Sequence, residues 1–290
     1  MQRNFFIRFI FIVATIVAII APFTYLIPKP IAKVIEIVPT PIAVVVPVIK
    51  KVKVIEKPLH QVNLPDFAAI YDIPTKKRQF FAFIRPAIED KNNELSKDRT
   101  KLLYWQGQIS LGLGLTDDEQ ASLKSLIVTY RINKQASTLQ QINDLLVRVD
   151  IIPTSLVLVQ AANESAWGTS RFARIGLNFF GIWCYRTGCG MVPGGRNTGA
   201  KHEVAAFQSV DAAVSGYFNN INKHNAYQIF RTIRAELRAQ DKPLDARILA
   251  TGLLPYSERG ADYVLDITDM LRHNQRYFEQ QSSHQTTLAD

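Results

Sequence analysis

The sequence predicts a mainly α fold that carries a small antiparallel β lobe, and three observations support this fold class. From about residue 66 onward, apolar residues recur at helical spacing with helix-start signals between them. Residues 181–209 interrupt that pattern with six glycines and one short apolar run. Just before this interruption lies an apolar helix that ends at a single glutamate, Glu164.

The charge distribution of the chain argues against nucleic-acid binding. The 290 residues carry a net charge of +9, of which residues 1–60 hold +6 and the remaining 230 residues only +3. A basic N-terminal region suits anionic lipid or an acidic polymer better than a nucleic acid. The length and the 47% of hydrophobic residues suffice for one or two domains with a real core.

An apolar segment at the N-terminus predicts a membrane anchor. Residues 9–28 contain no charged side chain and follow two arginines, Arg3 and Arg8. A helix of that length spans roughly 30 Å, one bilayer core. A cleaved signal peptide is the alternative, but residues 18–21 fit a cleavage site poorly and Pro22 would follow the cut. We therefore expect residues 1–27 to be an uncleaved anchor.

A proline-rich tether is expected over residues 28–65. This segment holds seven of the fourteen prolines and contains neither glycine nor serine. Such a composition gives a stiff, extended chain, which at about 3.1 Å per residue would reach on the order of 100 Å. The apolar run at residues 42–55 is unusual for a linker, and it would add a strand or pack on the folded part.

Helical patterns predict a helical extension over residues 66–134. Five apolar residues between Lys76 and Trp105 fall on one helix face: Phe80, Phe83, Ile84, Ile88 and Leu95. Thr116 and Glu119 form a capping box that opens a helix through about Ile132. Farther along, Thr138 is expected to cap a helix over Leu139–Val147.

The next helix begins at Pro153, which suits a first helical turn, and runs to about Glu164. It is apolar on nearly all sides, so we expect it to be buried as the spine of a helical domain. After the glycine-rich β lobe, Asp211 is expected to cap a helix over about Ala212–Ile221. Further helices are predicted at about 225–239, 244–251 and 259–274.

The only two cysteines, Cys184 and Cys189, lie in the glycine-rich region. Their spacing differs from that of a C-x-x-C redox motif, and two thiols are too few for a four-ligand zinc site. After an export segment, a local disulfide is the favoured interpretation. Two free structural cysteines are the alternative, and a cysteine nucleophile paired with His202 is a more remote one. We expect no metal and no cofactor.

One group of residues in the chain has the pattern of a catalytic site. Glu164 ends an apolar helix beside the indole of Trp167, and glycine and aromatic residues follow in Asn178–Trp183. A glutamate in such a setting can keep its proton near neutral pH and transfer it to a leaving oxygen. This is the chemistry of a glycoside-cleaving enzyme, although a glutamate near a helix end is more often simply solvated.

The segment Ser155–Trp183 resembles the active-site segment of bacterial endo-β-N-acetylglucosaminidases of the flagellar rod-cap and autolysin type. The matching elements, in order, are Glu164-Ser165, Trp167-Gly168 and Asn178-Phe179-Phe180-Gly181. The resemblance covers roughly residues 135–275. It implies a lysozyme-like α+β catalytic domain over 135–276, with a helical lobe and a small β lobe flanking a glycan cleft, and a tail over 277–290.

The resemblance also implies roles for individual residues. Glu164 corresponds to the catalytic acid of the family, and Tyr263 to its cleft tyrosine. The second carboxylate is less clear: Glu203 is a candidate, and the N-acetyl group of the substrate or Asp211 are alternatives. The substrate-binding candidates are Trp167, Asn178, Phe180, Trp183 and Tyr256, of which Phe180 also fits a core position and Asn178 a turn.

We therefore expect a peptidoglycan hydrolase of the cell envelope, held in the inner membrane by its anchor with its catalytic domain in the periplasm. The expected partners are glycan strands and the membrane, and no nucleic acid. Three alternatives stay open: a lytic transglycosylase, an N-acetylmuramoyl amidase-type hydrolase, and a non-catalytic peptidoglycan-binding module. The zinc-ligand pattern of an amidase is absent from the sequence, which disfavours the second of these.

Overall fold

Helices account for most of the chain that the computed structural model describes, which comprises residues 56–196, 199 and 201–279. The predicted anchor (1–27), the tether up to residue 55 and the tail from residue 280 lie outside these residues. Within the described part, no helix is both long and apolar enough to cross a membrane. The α-helices, in order, are α1 (Ile73–Ser110), α2 (Asp117–Tyr130), α3 (Thr138–Arg148), α4 (Thr154–Ser165), α5 (Arg171–Gly176), α6 (Val210–Lys223), α7 (Gln228–Ala239), α8 (Ala246–Ala250), α9 (Ala261–His273) and α10 (Arg276–Glu279).

A three-stranded antiparallel sheet forms the predicted β lobe. Its strands are β1 (Trp183–Cys184), β2 (Gly190–Met191) and β3 (Glu203–Ala205), in the spatial order β1-β3-β2. Val204 of the central strand pairs with both Trp183 and Met191. All of β3 is buried, so the central strand anchors the lobe while β1 and β2 form its edges. The mainly α fold with a small antiparallel lobe is confirmed.

Side-chain caps define most helix starts, and two of them lie one or two residues before the predicted position. The capping box of Thr116 and Glu119 is present at the start of α2. For α3 the cap is Ser137 rather than Thr138, because the Ser137 hydroxyl accepts the backbone N–H of Gln140. The cap of α6 is Ser209, and Asp211 lies in its first turn.

Helix α1 crosses the domain and joins the predicted extension to the predicted catalytic region. It packs against α3, α4 and α6, burying one apolar face that includes Phe80, Ile84, Ile88 and Leu95. The half-buried Phe83 borders the same face. Residues 66–134 and 135–276 therefore share one hydrophobic core, on which the position of the central helix α4 depends.

The described residues before α1 are packed on the domain rather than extended from it. Glu56 pairs with Arg171, and the backbone N–H of Leu59 donates to the carbonyl of Ile175 at 2.8 Å. His60 is buried and donates through Nε2 to the Arg174 carbonyl, while its Nδ1 accepts from Val62. The predicted tether therefore ends before residue 56 rather than at residue 65.

The predicted C-terminal tail also begins too early. Residues 276–279 form α10, and the ring of Tyr277 is buried against Phe81 of α1, with 6.2 Å between ring centroids. Burial of aromatic surface is a strong stabilising contribution, so this turn belongs to the core. The tail proper lies outside the described residues.

A buried guanidinium holds the loop that precedes α4. Arg234 of α7 donates to the carbonyls of Asp150 and Ile151, each at 3.1 Å, and burial lowers its pKa to about 10. The Asp150 carboxylate accepts from Arg238 at 2.9 Å and lies 3.4 Å from Arg99. The two terminal nitrogens of Arg234 have backbone acceptors, which offsets part of the cost of burying the charge, and these bonds fix the start of the central helix.

Candidate active site

Glu164 occupies the last turn of α4, where its side chain is half-buried. Its carboxylate accepts a hydrogen bond from Asn163 Nδ2 at 3.2 Å, and the Tyr263 hydroxyl lies close enough to lower its pKa. Gly181 borders the other side, because a Cβ at that position would lie 3.3 Å from Glu164 Oε2. Burial raises the pKa of Glu164, and the interactions with Tyr263 and Asn163 oppose this shift in part.

The chain leaves α4 through a left-handed turn that places Glu164 at its edge. Ala166, Trp167 and Gly168 all have positive φ angles, of 49°, 58° and 77°. Ser165 stabilises the turn, because its hydroxyl donates to the Ala161 carbonyl and accepts the N–H of Gly168. Such a backbone costs energy at the two non-glycine residues, so the turn depends on these bonds and on packing.

A chain of hydrogen bonds runs from the core to Glu164. The buried hydroxyl of Tyr217 donates to Gln160 Oε1, and Gln160 Nε2 donates to the Tyr263 hydroxyl at 2.9 Å. The Tyr263 hydroxyl in turn interacts with the Glu164 carboxylate and lowers its pKa. Gln160 lies one turn before Glu164 on α4 and is fully buried. Three helices, α4, α6 and α9, thus contribute to one polar chain inside an apolar core.

Aromatic rings enclose this chain. Tyr256 stacks on Tyr263 with 5.5 Å between centroids, and its hydroxyl donates to the Phe180 carbonyl at 2.7 Å. Phe180 stacks on Tyr217 at 4.6 Å and is only 1% exposed. The prediction that Phe180 binds substrate is therefore corrected: its ring is a core group that supports the site. Tyr256 is half-buried, and its contact with substrate stays a prediction.

Asn178 is also a structural residue rather than a group open to substrate. It is 1% exposed, and its Nδ2 donates to the carbonyls of Ile182 and Ala205, each at 2.8 Å. Its Oδ1 accepts the N–H groups of Phe180 and Ile182. Asn178 thus ties the loop that carries Gly181 to strand β3, and the turn interpretation of its role is the one that fits.

Trp167 packs chiefly on helix α1. Its ring lies 5.8 Å from Phe80 and 5.2 Å from Phe81, and Lys77 Nζ lies 5.0 Å from its centroid. The half-buried indole also lines a cavity together with Asn163 and residues of α9. Trp167 therefore anchors the turn after α4, and its role in substrate binding stays a prediction.

Exposed aromatic rings on the β lobe include Trp183 and Tyr185. Trp183 on β1 is 47% exposed and meets His202 edge-on at 4.9 Å. Tyr185, two residues on, is 79% exposed. Aromatic faces of this kind suit stacking against sugar rings. The intervening Cys184 forms the predicted disulfide with Cys189.

Glu203 holds the disulfide-closed loop. Its two carboxylate oxygens accept the N–H groups of Gly188 at 3.0 Å and Gly190 at 2.9 Å, and these bonds lower its pKa. An ionised carboxylate is what a catalytic base requires, but both oxygens already have partners here. Although Glu203 lies near Cys184 and Cys189, the disulfide leaves no thiolate there for a metal ion. The catalytic role of Glu203 stays a prediction.

Sequence reasoning missed two residues of the hydrogen-bond chain, Gln160 and Tyr217. One signal could have identified Gln160: it is the single polar residue in the run Leu156–Ala162, four positions before Glu164. Positions four apart lie on the same helix face, so a lone amide there indicates a buried partner for the glutamate site. Tyr217 gives no such local signal.

Comparison with known proteins places these residues in a family. A sequence model of the glucosaminidase family, described as Mannosyl-glycoprotein endo-beta-N-acetylglucosaminidase, matches residues 139–282. Protein bax of Escherichia coli (strain K12) is 36% identical over 217 residues, which cover 74% of this chain and 75% of that protein. No solved structure matches. The family match spans α4, the β lobe and α9, and the chain belongs to the Bax-like proteins of the glucosaminidase family.

Proposed function

We propose that this protein is a peptidoglycan hydrolase, an endo-β-N-acetylglucosaminidase that uses Glu164 as its general acid. The observation that carries the proposal is the setting of Glu164: a half-buried carboxyl with a raised pKa, which lies beside the Tyr263 hydroxyl. A general acid needs a pKa raised toward the working pH and a position that substrate can reach. Family membership supports a glycosidase, and the bond cleaved is part of the proposal.

In the proposed reaction, Glu164 protonates the glycosidic oxygen while the C1–O bond breaks. The proton moves from the carboxyl to the leaving sugar, and the carboxylate that forms is stabilised by Asn163 Nδ2 and by the Tyr263 hydroxyl. Charge-assisted bonds of this kind favour the ionised product of proton transfer. Tyr263 is 2% exposed, so its effect is transmitted through Glu164 rather than by broad contact with the sugar.

For the second step we favour attack by the acetamido oxygen of the substrate on C1, followed by hydrolysis. Among the described residues, Asn163 and Tyr263 form the side-chain interactions that lower the pKa of Glu164, and no carboxylate contributes to its shift. Glu203, whose oxygens are already held by loop N–H groups, is the alternative base. An inverting enzyme would need such a base at roughly 6.5–9.5 Å from the acid.

A lytic transglycosylase is the second candidate, because that reaction needs one acid and no water-activating base. The same observation favours it, namely that no described carboxylate contributes to the pKa shift of Glu164. In that case the C6 hydroxyl of the muramoyl residue would attack C1 and leave an anhydro end. The two candidates share Glu164 and differ in the bond that they break.

We further propose that the protein acts in the periplasm, anchored in the inner membrane by residues 1–27. The Cys184–Cys189 disulfide supports an oxidising compartment. The uncharged segment 9–28 supports the anchor. Glycan strands would lie across the β lobe, with Trp183 as a stacking platform.

Mass spectrometry of the products tests the proposal. Full-length protein is incubated with purified peptidoglycan, and the released fragments are compared with those from the Glu164→Gln variant. We expect fragments with reducing-end N-acetylglucosamine from the wild type and none from the variant. Anhydro-muramic ends would instead assign a transglycosylase, and stem peptides freed from intact glycan would assign an amidase.

A further inference from the structure

We propose that Gln160 is a positioning residue, which donates to the Tyr263 hydroxyl and so directs the proton of that hydroxyl toward Glu164. The inference rests on the proposed function of Glu164 as an acid. It concerns a residue that does not touch the substrate, because Gln160 is fully buried in α4. Its side chain is linked to the Glu164 site through the Tyr263 hydroxyl.

The two ends of the Gln160 amide have different partners. Its Oε1 accepts from the Tyr217 hydroxyl, and its Nε2 donates to the Tyr263 hydroxyl. Tyr217 is also fully buried, so its proton is held by Gln160 rather than by water. An amide that accepts on one side must present its N–H groups on the other. The amide orientation is therefore fixed from the core side of the chain.

This orientation determines what Tyr263 can do. Its hydroxyl has one proton, and because its oxygen receives the N–H of Gln160, that proton is directed to Glu164. Glu164 consequently accepts from Tyr263 and keeps its own proton for the glycosidic oxygen. If the hydrogen bonds ran in the opposite direction, Tyr263 would donate to Gln160. Glu164 would then give its proton to Tyr263 instead of the substrate.

Among the described residues, the groups of neighbouring elements that interact with Glu164 are uncharged. Four tyrosines interact with it, from α6, α9 and the two 3₁₀ turns Asn225–Tyr227 and Thr251–Tyr256: they are Tyr217, Tyr227, Tyr256 and Tyr263. The pKa of Glu164 therefore depends on burial and on its hydrogen bonds, from Tyr263 and from Asn163. Chains of hydrogen bonds strengthen one another, so losing Gln160 weakens the donor that favours the ionised form.

The test is the pH dependence of kcat/KM for full-length Gln160→Met, a change of similar size that removes both hydrogen bonds. The alkaline limb reports the pKa of the acid in the free enzyme. We expect this limb to move upward by about half to one pH unit and kcat to fall about tenfold. KM should stay within about twofold, because Gln160 is remote from the substrate.

Two further variants separate positioning from simple damage. Tyr263→Phe removes the donor itself and should move the limb in the same direction, and the double variant should add nothing to that movement. Gln106→Met is the matched control, because it makes the same change at a half-buried glutamine of α1, whose amide donates to Asn143 of α3 at 2.7 Å. It should lower Tm without moving the limb.

The sign of the movement decides the question. A downward movement of the alkaline limb would mean that the hydrogen bonds run in the opposite direction. An unmoved limb with a lowered Tm would mean that Gln160 has a structural role only. Either result overturns the proposal. If Gln160→Met does not fold, Tyr217→Phe removes the same fixing bond and should give a smaller upward movement, with a downward or absent movement counting against the proposal.

A second readout separates this inference from the proposed function. Carbon-13 NMR of the glutamate carboxyls follows the titration of Glu164 without any turnover, with Glu164→Gln identifying its signal. Gln160→Met should raise the pKa of Glu164 even if the wild type releases no glycan fragments. An unchanged pKa in an active enzyme would contradict the positioning role and leave the proposed function intact.

Discussion

Gly168 ends the left-handed turn after α4, and replacing it by alanine should destabilise the domain. Its φ angle of +77° is one that residues with a side chain rarely adopt. A Cβ at this position would lie 2.5 Å from Phe67 Cδ2 and 3.1 Å from Phe80 Cε2. Both rings are fully buried and cannot move without disturbing the core around α1.

The size of the effect follows from these two contributions. A left-handed backbone costs an alanine about 1–2 kcal/mol relative to glycine. Forcing an extra carbon into a packed core costs about 1–3 kcal/mol more. We therefore expect Gly168→Ala to lower the free energy of unfolding by about 2–5 kcal/mol. For a domain of this size, that corresponds to a fall in Tm of roughly 5–20 °C.

The assay is thermal unfolding of the full-length protein, followed by circular dichroism. Gly107→Ala is the matched control, because Gly107 is an exposed residue of α1 with nothing within 4 Å of its added Cβ. The same substitution there should raise stability by about 0.5–1 kcal/mol, since alanine favours a helix over glycine. Equal Tm changes in the two variants would refute the reasoning from backbone angle and packing.

Three further predictions concern the site and the β lobe. Burial raises the pKa of Glu164 above its ordinary value of 4.5 in the folded state. The free energy of unfolding therefore falls as the pH rises from the unfolded-state pKa through the raised folded-state pKa. Glu164→Gln should therefore have the higher Tm at pH 7 in calorimetry, with no difference below about pH 4; a lower Tm at pH 7 would count against the assigned shift. Trp183→Ala should raise KM for glycan about tenfold through lost stacking, whereas Tyr71→Ala, at an exposed ring before α1, should not. Replacing Cys184 and Cys189 by serine should destabilise by about 2 kcal/mol in urea unfolding, because the loop that the disulfide closes is short; an unchanged unfolding curve would mean that the loop is held by Glu203 alone.

The fold could be predicted where local signals determine it. The capping box at Thr116 and Glu119 fixes the start of α2 from four residues, and the glycines after residue 181 mark the β lobe. The same reasoning misplaced the caps of α3 and α6, since adjacent polar residues compete for one cap. Whether residues 56–65 pack on the domain could not be predicted, because their partners lie more than 100 residues away.

Of the candidate site residues, Glu164 is the one that local sequence singles out. It is the carboxylate in the last turn of an apolar helix, and an ordered motif of glycine and aromatic residues follows it. Phe180 and Asn178 belong to the same motif, yet both are buried, because residue type does not tell a core aromatic from a stacking platform. The partner of Trp167 is α1, and the partner of Gln160 is Tyr263, about 100 residues away. Contacts at such separations come from tertiary packing and leave no local pattern.

The most direct test of the central claim compares turnover and binding in one experiment. Full-length wild type and Glu164→Gln are mixed with insoluble peptidoglycan, and both the released glycan and the bound protein are measured. Glu258→Gln, the same change at an exposed residue, is the control. We expect Glu164→Gln to release glycan about 10²–10⁴-fold more slowly while it binds as well as the wild type. Equal release by the two proteins, or binding without release by either, would contradict the assignment of Glu164 as the catalytic acid.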